Sequence, residues 1–192
     1  MKDEILQAFK ESAEVKTRFI RTHGDTLMQV VKVLVAAFKG GHKVLLFGNG
    51  GSAADAQHLA AEFVNRFLIE RPPLPAIALT TDTSILTSIS NDYGYVETFA
   101  KQVKALGRAG DVAIGISTSG SAANVVKAVK AAKDLGLKTV GLTGGNGGDL
   151  VKIADFALVV DSSSTPRIQE AHITIGHVIC EMVDRMLFQQ PG

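Results

Sequence analysis

The sequence has no tryptophan, a single cysteine, five prolines and almost no surplus of charge. Each scarcity removes a class of protein. Cys180 alone cannot form an intramolecular disulfide, which excludes a disulfide-stapled secreted scaffold and leads us to expect the reducing cytoplasm. Twenty Lys and Arg stand against 19 Asp and Glu, a formal net charge of +1. That balance lacks the basic excess of a nucleic-acid binder, so no nucleic-acid partner is expected. No apolar run reaches the roughly 18 residues of a membrane span, and Met1-Lys2-Asp3-Glu4 opens no apolar signal core, so no membrane partner is expected. What is present is ordinary globular material: 192 residues, 46% hydrophobic and 20% charged, enough for one sizeable core in a single domain over 1–192.

Hydrophobic periodicity divides the chain near residue 42. Residues 3–21, with Ile5, Leu6, Phe9, Ala13, Val15, Phe19 and Ile20 at three- and four-residue spacings, predict an amphipathic helix that His23-Gly24 breaks. Residues 25–39 predict a second helix, which Gly40-Gly41 ends. From 43 onward, short apolar runs at 43–47, 76–80, 112–117, 139–143 and 156–160 alternate with helical patterns at 52–68, 84–105, 121–135, 148–154 and 166–188. Runs of this kind suit strands buried on both faces of a parallel sheet. The predicted fold is therefore α/β, a doubly wound five-stranded parallel sheet (42–192) preceded by an N-terminal helical extension (1–41). Two extra amphipathic helices exceed what a five-stranded sheet needs. Phe9, Phe19 and Phe38 add apolar area that burial against another subunit would cover, so oligomerisation is expected.

In an open parallel sheet, ligands bind beyond the carboxyl ends of the strands. The first strand ends in Gly48-Asn49-Gly50-Gly51-Ser52-Ala53, where glycine admits close backbone approach, Ser52 can cap the next helix, and the helix start offers amides to an anion. This also spells G-x-G-x-x-A, but residues 71–80 hold no acidic partner for a ribose, which weakens a dinucleotide reading. The third strand ends in Ser117-Thr118-Ser119-Gly120-Ser121, with four hydroxyls where a capped turn needs only one, so a phosphate cradle is the better reading. Gly144-Gly145-Asn146-Gly147-Gly148 after the fourth strand brings no such cluster and reads as loop geometry. Asn91-Asp92-Tyr93-Gly94 reads as a turn, or as Asn91 and Asp92 touching substrate hydroxyls.

Polar pairs on two predicted helices complete the chemistry. His58 and Glu62 are four apart and, Asp55 aside, share a face with Ala54, Ala61 and Asn65, small neighbours that leave room for a ligand or another helix. Such a pair is a solvated surface pair, half of a metal site, or an acid/base pair. On the last helix Gln169 and His177 lie on one stripe, whereas His172 is about 140° from His177 and does not easily serve the same site.

Together these residues resemble the sugar isomerase (SIS) family, and within it the bacterial phosphoheptose isomerases. The resemblance runs over nearly the whole chain and is carried by Gly48-Asn49-Gly50-Gly51-Ser52, His58-x-x-x-Glu62, Asn91-Asp92, Ser117-Thr118-Ser119-Gly120 and Arg167-Ile168-Gln169-Glu170 with His177. It implies a cytoplasmic homotetramer, with sites between subunits, that converts D-sedoheptulose 7-phosphate to D-glycero-D-manno-heptose 7-phosphate on the way to ADP-heptose and lipopolysaccharide core. It further implies Glu62 as catalytic base, His177 as its acid/base partner, and one zinc per subunit on His58, Glu62, Gln169 and His177. Substrate contacts would be Asn49, Gly50, Gly51, Glu62, Asn91, Asp92, Ser117, Thr118, Ser119 and Gln169, with Ser-Thr-Ser on the phosphate. One departure stands out: Ala122 occupies the position of a further phosphate-binding serine, with Ser121 one residue earlier.

Two other functions compete. A related SIS subgroup serves as an adaptor for the replication initiator DnaA, and the stretches from Glu70-Arg71-Pro72 to Ala78 and Leu187-Phe188 look similar to it. A binding module has no use for a positioned carboxylate and imidazole, so Glu62 and His177 favour catalysis. A dinucleotide-dependent oxidoreductase rests on the first glycine loop alone.

Overall fold

The computed structural model describes residues 1–189. Its five strands are all parallel: β1 (Val44–Gly48), β2 (Ala76–Ala78), β3 (Val112–Ser117), β4 (Lys138–Gly144) and β5 (Phe156–Val160). They form one sheet in the order β2-β1-β3-β4-β5. The helices are α1 (Lys2–Lys39), α2 (Gly51–Val64), α3 (Thr83–Tyr93), α4 (Thr98–Leu106), α5 (Ala123–Asp134), α6 (Leu150–Ile153) and α7 (Thr165–Phe188). Side chains alternate across the sheet, so β1 sends Val44 and Leu46 into the core under α1, α2 and α7, and Leu45 and Phe47 into the core under α4 and α5. Burial on both faces is why the central strands β1, β3 and β4 read as unbroken apolar runs, while the edge strands β2 and β5 are only partly buried. Among the described residues no helix is long and apolar enough to cross a membrane.

The predicted break at His23-Gly24 is absent, and α1 is one helix of 38 residues. A mid-helix glycine costs only about 1 kcal/mol, and the apolar stripe runs through it in phase. Phe19 stacks on the His23 ring at 5.1 Å, and Leu27, Val30, Val31 and Leu34 continue the buried face. Phe19 and Phe38 are likewise buried within their own chain, so of the three phenylalanines only Phe9, 75% exposed, remains as uncovered apolar surface. The helical pattern at 84–105 divides at Gly94, whose φ of 87° breaks the path between α3 and a short 3-10 turn (Tyr95–Glu97).

The two edges of the sheet differ in chemistry. At the amino ends a buried Asp111 accepts from the Lys43 backbone N–H at 3.0 Å, the Lys43 ammonium at 2.6 Å and the Arg108 N–H at 2.9 Å. Burial pushes its carboxyl up, but these donors outweigh it and hold the group below the usual range. The carboxyl ends carry the glycine- and hydroxyl-rich loops.

His172, on α7, is fully buried and ties that helix to the end of β4, with Nε2 3.1 Å from the Thr143 carbonyl. A carbonyl only accepts, so Nε2 carries the proton. Nδ1 has no partner, and a second proton there would be a buried, unpaired donor. Burial depresses the ring to about 4 against an ordinary value near 6.5. Between those two values the unfolded chain takes up a proton that the native chain refuses. Stability from this residue is thus complete above pH ~6.5 and is lost as pH falls, by about 2–3 kcal/mol at pH ~4.5. Urea midpoints recorded from pH 7 to 4.5 should fall less steeply for His172→Asn; parallel slopes for the two proteins would refute this.

Candidate active site

The strand order reverses between β1 and β3, and the crevice beyond their carboxyl ends is where an open α/β sheet presents a ligand. Asn49 leaves β1 there. Its side chain exchanges two hydrogen bonds with Asn124 at the start of α5, both 2.9 Å, and accepts a third from the Tyr95 hydroxyl at 3.0 Å. These bonds brace the two loops that flank the crevice. Gly50, at φ 53°, is the N-cap of α2, and Ser52 lies inside the helix and buried rather than capping it as expected. The turn needs a left-handed residue, which glycine supplies without a clash. Tyr95 escaped the sequence reading, because nothing local marks a tyrosine that reaches a loop 46 residues away.

The Ser117-Thr118-Ser119 segment closes β3. Ser117 Oγ stands 3.4 Å from Ser119 Oγ, and Ser119 Oγ accepts the Ser121 N–H at 3.3 Å. At Gly120, φ 68°, any Cβ would sit 2.1 Å from the Gly147 carbonyl oxygen, and one at Gly148 would sit 2.5 Å from that of Ser119. The glycine cluster after β4 therefore serves close loop packing, as its sequence suggested. Beside these loops lies a cavity of about 300 Å³, lined by Thr118, Ser119, Ser162, Ser163 and Thr165 hydroxyls and by no lysine or arginine. Hydroxyls of this kind can donate to an anion without a charged side chain. Ala122, not a serine, is the N-cap of α5, and no side chain caps that helix.

Asn91 and Asp92 are not a turn but the last turn of α3; the chain reverses at Gly94 instead. Asn91 Nδ2 donates to Asp92 Oδ1 at 2.8 Å, and both side chains are exposed.

The third group joins two helices. His58 Nε2 on α2 lies 2.9 Å from His177 Nε2 on α7 and 3.3 Å from Glu62 Oε1. One nitrogen donates and the other accepts in the imidazole pair. Phe67 stacks on the His177 ring at 5.4 Å and covers it on one side. Asp55, one turn before His58, has an unpartnered Oδ2; burial raises its carboxyl, and the nearby His58 pulls it back in part. The face shared by His58 and Glu62 thus turns toward α7 and not toward bulk water alone.

Gln169 sits elsewhere on the same helix pair. Its amide packs on Gly51, at the start of α2, where a Cβ would meet its nitrogen at 2.4 Å. Gly51 precedes His58 by seven residues, which is about 10 Å along the helix. Within one chain, His58, Glu62 and His177 come together and Gln169 does not join them.

The trio offers the donor set of a metal site. One ligand atom from each of His58, Glu62 and His177 lies within 4.8 Å of the others. A tetrahedral ion with bonds of roughly 2.0–2.2 Å spaces its ligands about 3.3 Å apart. The observed 2.9 and 3.3 Å differ from that by a small side-chain adjustment. Two imidazoles and one carboxylate suit a borderline-soft divalent ion better than magnesium or calcium. The residues fit a metal.

Sequence and fold are both similar to those of known proteins. A family model described as the SIS domain matches residues 8–144. The chain is 53% identical over 192 residues to a phosphoheptose isomerase of Thermodesulfovibrio yellowstonii, covering 100% of this chain and 96% of that protein. It is 54% identical over 190 residues to a phosphoheptose isomerase of Aquifex aeolicus, covering 99% and 100%. The solved structure of phosphoheptose isomerase GmhA from Neisseria gonorrhoeae superposes with a TM-score of 0.90 at 44% identity, covering 95% of this chain and 98% of that one.

Proposed function

The chain belongs to the SIS-domain family, and from that premise we propose that it acts as a phosphoheptose isomerase, interconverting D-sedoheptulose 7-phosphate and D-glycero-D-manno-heptose 7-phosphate. The observation that carries the reading is the meeting of Glu62 with two imidazoles from separate helices, in a chain matched end to end by such isomerases. Its product supplies ADP-heptose and lipopolysaccharide core synthesis.

Moving the carbonyl from C2 to C1 transfers one proton between adjacent carbons and one between their oxygens. Glu62 takes the proton from C1 as the C1–H bond breaks, leaving an enediol, and returns it to C2. His177 moves the hydroxyl proton between O1 and O2. A carboxylate and an imidazole suit these steps, each worth about 10²–10⁴ in rate. The phosphate lies in the hydroxyl cradle of Ser117, Thr118 and Ser119, where clustered neutral donors close the carboxyl end of β3. Asn49, Gly50, Gly51, Asn91 and Asp92 contact the sugar chain.

Zinc is the metal we assign to His58, Glu62 and His177, with Gln169 of a neighbouring copy as fourth donor, since Gln169 of the same chain is held at Gly51. Polarisation of the substrate oxygens is the chemistry zinc supplies when bound there. We place the protein in the cytoplasm as a homotetramer. Exposed Ile5, Leu6 and Phe9 on α1, and an apolar groove of Phe19, Ile20, Leu27, Ile175 and Val178 between α1 and α7, support assembly. Sedimentation equilibrium should return four chains per particle, and Phe9→Glu should lower that number; a monomeric parent would end this assignment.

NMR of the purified protein with sedoheptulose 7-phosphate tests the reaction. Aldose signals should grow as ketose signals decay. Folded, metal-loaded protein that leaves the ketose unchanged would refute the function, and would return weight to the DnaA-adaptor alternative.

A further inference from the structure

Arg71 lies in the loop between α2 and β2, yet its side chain is only 1% exposed and faces an Asp184 side chain 4% exposed. Its Nε donates to Asp184 Oδ1 on α7 at 2.8 Å. Nη2 donates to the Glu62 carbonyl at 2.8 Å, and Nη1 to those of Phe63 at 2.7 Å, Asn65 at 3.4 Å and Pro72 at 3.1 Å. A guanidinium fork alone among side chains can serve this many acceptors in fixed directions. The carbonyls at the end of a helix lack intrahelical partners, so Arg71 caps α2 at the very residue whose carboxylate belongs to the His58–Glu62–His177 group. Asp184 follows His177 by seven residues, two turns along the same face of α7. The remaining α2–α7 contacts include Leu59 over Gly176, an apolar contact that resists separation more than sliding.

We propose that Arg71 and Asp184 are positioning residues for the reaction, a buried clamp that sets the register of α2 against α7 and so holds Glu62 and His58 at His177. The clamp touches neither substrate nor metal. It rests on the reading of Glu62 and His177 as the reacting and metal-holding groups.

The decisive variant is Arg71→Met with Asp184→Leu. Removing one partner strands the other as a buried charge, whereas replacing both by apolar residues of similar size often preserves stability. The double variant, assayed well below its melting temperature, should melt within a few degrees of the parent. Zinc affinity of the metal-stripped chain, titrated with zinc alone, should weaken about 10–100-fold, as when other supports of metal ligands are lost. We expect kcat to fall about tenfold, with KM changing less than about threefold because the phosphate cradle stands on β3. A purely structural pair would move the melting temperature and leave zinc affinity and kcat intact; a folded double variant with parental values of both overturns the proposal. Should the double variant not fold, Asp184→Asn keeps the shape and weakens the clamp. It should lose zinc affinity and kcat in the same direction, and parental values there are equally fatal. Glu62→Gln run in parallel separates the two claims. If it retains turnover, the site reading fails and the clamp with it; if it is inactive while the clamp variants match the parent, only the clamp fails.

Discussion

Glutamine at position 62 is expected to reduce kcat by about 10³-fold or more while leaving binding of sedoheptulose 7-phosphate measurable by calorimetry. The substitution preserves the side chain's shape and one oxygen, so the helix pair, the His58–His177 contact and much of the metal's donor set survive. What disappears is the capacity to accept a proton from C1, since an amide oxygen is too weak a base. On the proposed binding mode KM should change little, because the anionic end of the substrate would lie at a different loop, among hydroxyls. This split between kcat and KM marks a group whose contribution appears in the transition state and not in ground-state binding. Turnover above a tenth of the parent's would remove Glu62 from the catalytic role.

Stripping the metal should have the second largest effect. With a chelator, activity is expected to fall at least about 10²-fold, and zinc should restore it where magnesium does not, given two nitrogen donors among three. The same binding should appear without any assay. An ion that binds only the folded chain raises stability by about 2.7 kcal/mol at a concentration 100 times its dissociation constant. The melting temperature should therefore climb with zinc, and His58→Ala should abolish the climb. Undiminished turnover in protein shown by elemental analysis to be metal-free would discard the zinc assignment. If zinc instead raises stability without restoring turnover, the ion holds the helices and does not serve the chemistry.

The strands were legible as short apolar runs, most plainly where both faces are buried: Val112–Ser117 falls where its run placed it, and so does the half-buried edge strand Phe156–Val160. The hydroxyl-rich loop after β3 and the glycine loop after β1 could be assigned from the same reasoning, since strand polarity alone decides which ends carry the ligand. Helix periodicity even limited the choice on α7, by setting His172 and His177 on different faces. Helix ends were less legible. Gly24 looks like a stop but is only a small penalty against a long buried stripe, and that balance depends on what the stripe packs against. Ser52 looks like a cap, yet the backbone turns two residues earlier at Gly50.

By itself, then, the amino-acid order determined the sheet, the faces of its helices and the residue types available for proton transfer, because each of these follows from spacing along the chain. Only the tertiary structure decided which faces meet. That His58 touches His177, that Gln169 stops at Gly51, and that Arg71 folds back under α2 to reach Asp184 are consequences of how α2 lies on α7. Such contacts join residues more than a hundred positions apart, and their geometry is set by the packing of whole helices on a sheet, a property no local period contains.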